Sequence, residues 1–271
     1  MENNLDFKGG QTMREIISDR IVIKVGTSTL TQATGGLNEK WVKSLADVIA
    51  ELKNQGKQVI LVTSGAIGVG SAKLNLRERP TLIPEKQAVA AVGQSLLMGV
   101  YDKYFSEHHF AVGQVLITKD CIEHTRRYGN AINTLNSLLN LGVIPIVNEN
   151  DTVAVDEIIF GDNDTLSAYV ATMVNANLLV ILSDIDGLYD KNPKEPDAML
   201  ISKVTKITDK MKEHAGGSGS AHGTGGMATK LDAAVIAAKN GTKTIIMKGE
   251  KPEQLEKALN GEMIGTYFDL K

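Results

Sequence analysis

The sequence predicts an α/β protein, an open three-layer α/β/α sandwich around a mostly parallel central sheet, and three observations predict it. Short apolar runs rich in valine and isoleucine recur along the chain, stretches with helical spacing separate them, and the runs end in glycine, lysine or small polar residues. Runs that are apolar throughout fit strands buried on both faces, as a parallel sheet requires. Strands separated by helices imply right-handed crossovers, with helices covering both sides of the sheet. In such a sheet the carboxyl ends of the strands share one rim, and ligands gather there.

Ile21-Val22-Ile23 forms the first run and delivers Lys24 and the turn residue Gly26 to its end. A helix follows: Asn38 suits its N-cap, Leu45, Val48, Ile49 and Leu52 recur at helical spacing, and Gly56 suits its C-terminal stop. Val59-Ile60-Leu61-Val62 is a second buried strand, broken at Ser64-Gly65. A helical stretch over 85–107 leads to a strand over 112–117, then a helix over 130–141 and a strand over 143–147. Residues 152–160 alternate like a small hairpin, 165–174 read as helix and 178–182 as strand. A Gly-rich loop then feeds a helix marked by Lys230, Leu231, Ala234, Val235 and Ala238, before a strand over 244–247 and a closing helix and strand. Residues 1–13 read as a disordered leader and 14–271 as one domain.

Composition narrows the function. With 271 residues, 42% hydrophobic and 23% charged, the chain can bury a sizeable core. A net charge of -3 without a basic run argues against a nucleic-acid surface, which needs clustered Lys and Arg; Arg126-Arg127 is a pair and not a patch. Cys121 is the single cysteine, so no intrachain disulfide can form, and the five histidines show no metal spacing. The apolar runs are too short to span a bilayer and the polar start lacks a signal-peptide core, which makes a cytoplasmic protein with no membrane partner the expectation.

The most informative segment is Gly223-Thr224-Gly225-Gly226-Met227-Ala228-Thr229-Lys230. Glycines let a ligand approach the amides closely, while helix-start amides and a lysine supply converging positive charge, an arrangement suited to phosphate. Taken alone, the Gly and Ser of residues 215–226 fit a flexible linker equally well; the packed helical pattern that follows favours the phosphate reading. Each strand end adds polar groups. Lys24 follows a run of β-branched residues, where burying an ammonium is costly without an anionic partner, although a strand-end lysine can also snorkel to solvent. Ser64-Gly65 exposes amides for a carboxylate or phosphate, or simply makes a strand-to-helix turn. Asn148-Glu149-Asn150-Asp151 and Gly161-Asp162-Asn163-Asp164 concentrate acids and amides, partly as turn chemistry and partly as substrate recognition. There Asp151 could pair with an amine, Asn163 could donate to a carboxylate, and Asp164 could hold lysines in place. Ser183-Asp184 makes either a turn or a contact to nucleotide. No G-x-x-x-x-G-K-[ST], no complete G-x-G-x-x-G after a strand and no protein-kinase signature is present, which disfavours the common nucleotide folds.

As a set, these residues resemble the amino acid kinase family, and within it the branch that phosphorylates the side-chain carboxylate of L-glutamate. The resemblance runs from about Arg20 to the C-terminus. It is carried by Lys24-Val25-Gly26-Thr27-Ser28, Val62-Thr63-Ser64-Gly65-Ala66-Ile67, Pro145-Ile146-Val147-Asn148-Glu149-Asn150-Asp151, Gly161-Asp162-Asn163-Asp164 and, most specifically, residues 223–230 with Leu231, Ala233-Ala234 and Gly241. It implies Lys24 and Lys230 as catalytic cations and Asp164 as their organiser. Ser64, Gly65, Asn148, Asp151 and Asn163 would contact glutamate, in a part of the chain reaching to about 175. Lys24, Gly26, Ser183, Asp184, Thr224, Gly225, Gly226, Met227, Ala228, Thr229 and Lys230 would contact ATP, with Mg²⁺ as cofactor and no metal ligand assigned to the protein. Proline as inhibitor, a place at the start of proline biosynthesis and a homo-oligomer, dimer or tetramer, are implied in the same way. Position 183 departs mildly from the pattern, with serine where threonine is more usual. The C-terminal RNA-modification-type domain of longer relatives is expected to be absent. Two readings compete: another kinase of the family, against which the acidic Asp151 counts because it suits a free amine, and a non-catalytic sensor, against which both lysines and Asp164 count.

Overall fold

A computed structural model of the chain describes residues 7–8, 11–32, 35–154, 163–215 and 226–270. Strands β1 (Phe7–Lys8) and β2 (Gln11–Thr12) pair with each other antiparallel. From Arg14 onward the chain is fastened to the body: the Arg14 amide donates to Gly261 O at 2.7 Å and its guanidinium reaches the carbonyls of Ile264, Gly265 and Ser202.

The body is an eight-stranded sheet made of β3 (Arg20–Val25), β4 (Gln58–Val62), β5 (Val112–Ile117), β6 (Ile144–Glu149), β7 (Leu178–Ser183), β8 (Lys203–Val204), β9 (Lys243–Lys248) and β10 (Thr266–Phe268). Its order is β5-β6-β4-β3-β7-β9-β10-β8. Every pairing from β5 across to β9 is parallel, and β10 reverses direction, antiparallel to β9 and parallel to β8. This is the expected mostly parallel sheet, with helices on both faces. Helices α2 (Glu39–Asn54), α3 (Ala66–Lys73), α4 (Ile83–Ser106) and α10 (Glu253–Leu259) cover one face; α6 (Thr125–Asn140), α7 (Asn163–Met173) and α9 (Met227–Ala238) cover the other, and α1 (Thr27–Leu30), α5 (Lys119–Glu123) and α8 (Asp209–Ala215) are short.

The period-two alternation of strands explains which side chains meet which layer. Ile21, Ile23 and Val25 pack with α2 and α4, whereas Val22 packs with α7 and α9. Lys24 has the parity of Val22 and therefore leans toward α7 and α9. By the same rule Thr63 continues the side of Val59 and Leu61, and Asn148 that of Ile144 and Ile146, so both lean toward α4. Strand parity thus sends the Lys24 cation to one layer and the Asn148 amide to the other.

Several boundaries differ from the sequence expectation. The helix read over 130–141 begins at Thr125, the one read from 165 begins at Asn163, and the strand read over 143–147 extends to Glu149. The expected Asn38 N-cap is present, its side chain accepting from Trp41 N at 3.3 Å. Of the expected hairpin over 152–160, residues 155–160 lie outside the described residues. At Ser64-Gly65, where a strand-to-helix turn was one open reading, the chain turns into helix α3. Gly65 opens it in the left-handed region, φ 90°, where a side chain would be strained. Gly70 of α3 and Gly93 of α4 serve packing: a Cβ on Gly93 would lie 1.8 Å from Ala66 O, and one on Gly70 2.0 Å from Val89 O. Backbones of α3 and α4 therefore touch. Gly93→Ala is expected to destabilise the fold by about 1–3 kcal/mol, overpacking outweighing its better helix propensity. Urea unfolding measures this, and an unchanged midpoint would show that α3 is free to shift.

Candidate active site

Four adjacent parallel strands, in the order β6-β4-β3-β7, end at the same rim. Their last residues are Asn148-Glu149, Val62 leading into Thr63-Ser64-Gly65, Lys24-Val25 leading into Gly26, and Ser183 leading into Asp184. Register makes them neighbours: Lys24 lies opposite Val62 on one side and Ile181 on the other, and Val62 opposite Val147. The rim expected from the sequence is present.

Onto it two helices bring their first turns. Asn163 and Asp164 open α7, and Lys230 lies in the first turns of α9 behind Gly226. Helical side chains slant toward the N-terminus, so the Lys230 side chain folds back along α9. Lys24 Nζ stands 2.7 Å from Asp164 Oδ1 and Lys230 Nζ 3.0 Å from Asp164 Oδ2. The Thr229 hydroxyl donates to the same Oδ2 at 3.0 Å and to Gly226 O at 2.8 Å. Lys24 and Lys230 are 6% and 5% exposed and Asp164 fully buried, so a cluster with two ammonium groups and one carboxylate sits out of bulk water. Burial pushes the Asp164 carboxyl up, but the charges of Lys24 and Lys230 and their hydrogen bonds outweigh it and hold its pKa well below the ordinary carboxylate range. The start of a helix also favours a carboxylate there. The three charges sum to +1, and the first turn of α9 carries no acidic residue. A helix start beside two ammonium groups can attract an anion.

The second group of residues is neutral. Asn163 Nδ2 donates to Asn148 Oδ1 at 2.7 Å, to Ser64 Oγ at 3.0 Å and to Thr63 O at 2.5 Å. Asn148 Nδ2 donates to Gln94 Oε1 at 2.8 Å, and the Glu149 amide donates to Asn148 Oδ1 at 2.9 Å. This corrects one expectation: the N–H groups of Asn163 are taken up inside the protein, and what remains is its Oδ1, buried and with no hydrogen-bond partner among the described residues. Asn163 therefore offers an acceptor, not a donor to a carboxylate. Asp151 follows in the turn after β6, half-buried, and burial pushes its carboxyl up to about 6. Ser183 is buried, its hydroxyl donating to Asp184 Oδ1 at 3.1 Å, and Asp184 is exposed. A Cβ on Gly26 would lie 3.7 Å from Lys24 Nζ, so that bare backbone runs beside the ammonium. Thr224, Gly225, Gly161 and Asp162 lie outside the described residues.

A model of the amino acid kinase family matches residues 19–248. The chain belongs to the amino acid kinase family. It is 53% identical to the glutamate 5-kinase of Clostridium perfringens (strain 13 / Type A) over 266 residues, 96% of this chain and 99% of that one. It is 52% identical to the glutamate 5-kinase of Listeria monocytogenes serovar 1/2a over 266 residues, 96% of each chain. With the glutamate 5-kinase of Thermoanaerobacter sp. (strain X514) it shares 52% identity over 250 residues, 92% of this chain and 67% of that one. Among solved structures, a carbamate kinase from Giardia lamblia bound to AMP-PNP superposes with a TM-score of 0.66 over 94% of this chain and 99% of that one, at 16% identity. An isopentenyl phosphate kinase does so with a TM-score of 0.64 over 92% and 99%, also at 16% identity, a likeness of fold.

As a member of the amino acid kinase family the chain is an enzyme, a phosphotransferase, and its curated relatives set it in the glutamate 5-kinase branch. Among the described residues no helix is long and apolar enough to cross a membrane. Two supports of the site were not singled out from the sequence, Gln94 and Tyr101, both on α4. Tyr101 is fully buried, burial raising the pKa of its phenol, and its hydroxyl meets Thr63 Oγ1 at 2.8 Å. The available signal was a glutamine among the buried positions Gly93, Leu97 and Tyr101 of one helical face, since a polar side chain there needs a buried partner.

Proposed function

We propose that the protein transfers the γ-phosphoryl group of ATP to the side-chain carboxylate of L-glutamate, giving ADP and L-glutamyl 5-phosphate. The observation that carries this reading is the meeting of Lys24 and Lys230, from opposite ends of the chain, on the two oxygens of Asp164. A carboxylate nucleophile titrating near pH 4.3 is already ionised at neutral pH, so no base has to remove a proton. One of its oxygens bonds to the γ-phosphorus as the bond from phosphorus to the β–γ bridging oxygen breaks, and that electron pair leaves with ADP. The obstacle is charge, since two anions must approach and negative charge then shifts toward the leaving oxygen. Lys24, on the strand between the two binding regions, stabilises the phosphoryl group in transit. Lys230 and the first amides of α9, with Gly226, Met227, Ala228 and Thr229, stabilise the departing diphosphate. Gly26, Ser183 and Asp184 line the nucleotide side, joined in this reading by Thr224 and Gly225.

Ser64, Gly65, Asn148, Asp151 and Asn163 form the glutamate side, where Asp151 and the Asn163 carbonyl oxygen suit the α-ammonium. Mg²⁺ would arrive on the triphosphate, whose oxygens and waters are the ligands it prefers, and would neutralise phosphate charge there. That fits a site in which both Asp164 oxygens already face ammonium groups. Further parts of the same reading follow from the family resemblance: a first step of proline biosynthesis inhibited by proline, carried out in the cytoplasm by a homo-oligomer, dimer or tetramer. The test is ADP release with ATP, Mg²⁺ and, in parallel, L-glutamate, N-acetylglutamate and L-aspartate, repeated with proline. Turnover on glutamate above the other two is expected; equal or better turnover on N-acetylglutamate would overturn the substrate.

Asp151 gives this reading a pH dependence. With its carboxyl raised to about 6 by burial, the counter-charge for the ammonium is complete only above that pH. The glutamate KM is therefore expected to climb as pH falls below about 6, by up to tenfold per unit, and to be high and flat in Asp151→Asn. Linkage has the opposite sign for the empty protein: a folded pKa above the unfolded value of about 3.9 means that Asp151 costs stability as pH rises from about 4 to 6. A glutamate KM with the same pH profile in Asp151→Asn would remove Asp151 from the pocket.

A further inference from the structure

We propose that Gln94 is a positioning residue that sets which polar face the pocket shows to the substrate's amine. The proposal rests on the reading that this pocket receives glutamate. Three buried amides form a chain with one direction: Asn163 donates to Asn148, and Asn148 donates to Gln94. Two backbone groups fix that direction. The Glu149 N–H can only donate, so the atom of Asn148 that it meets is the oxygen; the Thr63 carbonyl can only accept, so the atom of Asn163 that it meets is the nitrogen.

What remains is a buried N–H of Gln94 at one end and the buried oxygen of Asn163 at the other, neither with a hydrogen-bond partner among the described residues. Amides linked this way polarise one another and hold one orientation. Gln94 is the acceptor that keeps the Asn148 side-chain N–H satisfied in the interior. Without it the buried Asn148 N–H is left unsatisfied, which weakens the hold that the Glu149 N–H and the Thr63 carbonyl have on the chain's direction and lets the Asn148 and Asn163 amides turn more easily. A pocket that presented an oxygen then presents either atom, and its preference for a ligand bearing an ammonium group falls. Gln94 does this from the α4 side of the sheet, opposite the layer that supplies Asp164 and Lys230.

Two variants separate orientation from mere support. Gln94→Met keeps length and loses the acceptor; Gln94→Glu keeps an oxygen facing Asn148. Affinity is read for glutamate as KM and for glutarate, which has both carboxylates and no amine, as a competitive inhibition constant. In Gln94→Met the glutamate KM should rise about tenfold, the scale of one neutral hydrogen bond, with the glutarate constant and the ATP KM little changed. Gln94→Glu should keep most of the discrimination between the two ligands. Equal losses on glutamate and glutarate, a matching rise in the ATP KM, or a Gln94→Glu protein as unselective as Gln94→Met would overturn the proposal. Should the methionine variant fail to fold, Gln94→Glu decides alone: retained selectivity supports the role and lost selectivity overturns it. The unsubstituted protein is the control, since failure to phosphorylate glutamate there refutes the proposed function, whereas normal turnover with a neutral Gln94→Met refutes only the role of Gln94.

Discussion

Lys230→Ala lowers turnover by about a hundredfold or more and leaves a folded protein, and Lys24→Ala does the same. The expectation follows from charge bookkeeping in a dry site. With both lysines present two ammonium groups face the one carboxylate of Asp164. Removing either lysine leaves the other beside Asp164, so the fold keeps a compensated carboxylate while one of the two cations that an anion would meet is gone. A buried charge left wholly without a partner is what costs a fold several kcal/mol, and neither substitution creates one. Steady-state ADP release beside a thermal melt makes the measurement. Near-normal turnover in either variant would show that the lysine concerned neutralises Asp164 and does nothing for the phosphoryl group.

Strand ends were legible in the sequence because period and composition coincide there. Ile21-Val22-Ile23-Lys24 states both that the strand is buried on two faces and that its end breaks the rule, and the fold obeys each part. The α9 start was legible for a similar reason, glycine and lysine being joined to a helical stripe. Less was legible wherever the determining fact is an atom's direction. Asn163 was grouped with Ser64 and Asn148 from the sequence, and the structure brings the three together, yet only the acceptors around its nitrogen reveal that its oxygen is the end left over. Helix α3 had little local signal, while Gly70 is required by the backbone of α4 crossing it, a contact that its own neighbours in sequence do not reveal. The reversal of β10 had no local signal either, since strand direction follows from how the chain returns and not from the residues Thr266–Phe268.

Asp164→Ala is expected to be the most damaging substitution of all, although it removes neither cation. It leaves the ammonium groups of Lys24 and Lys230 buried together with their shared counter-ion gone. Breaking a buried pair this way costs about 3–5 kcal/mol, and mutual repulsion of the two lysines adds to it. The fold can relieve the strain only by swinging a lysine out or by releasing a proton from one, and either response destroys the anion site, so turnover falls together with stability. The pH dependence of unfolding distinguishes this from simple loss of packing. In the unsubstituted protein Asp164 has a folded pKa held low by the lysines; its contribution is fully present above the unfolded value of about 3.9 and is lost as pH falls through the folded one. In Asp164→Ala the titrating group becomes a lysine whose folded pKa is depressed below its unfolded value of about 10.4, so stability rises with pH across that interval. Urea midpoints between pH 7 and 10 should therefore climb in the variant relative to the parent. Asp164→Asn, which keeps the shape and loses the charge, should show the same slope; a flat profile in both variants would mean that the lysines do not depend on Asp164 for their charge.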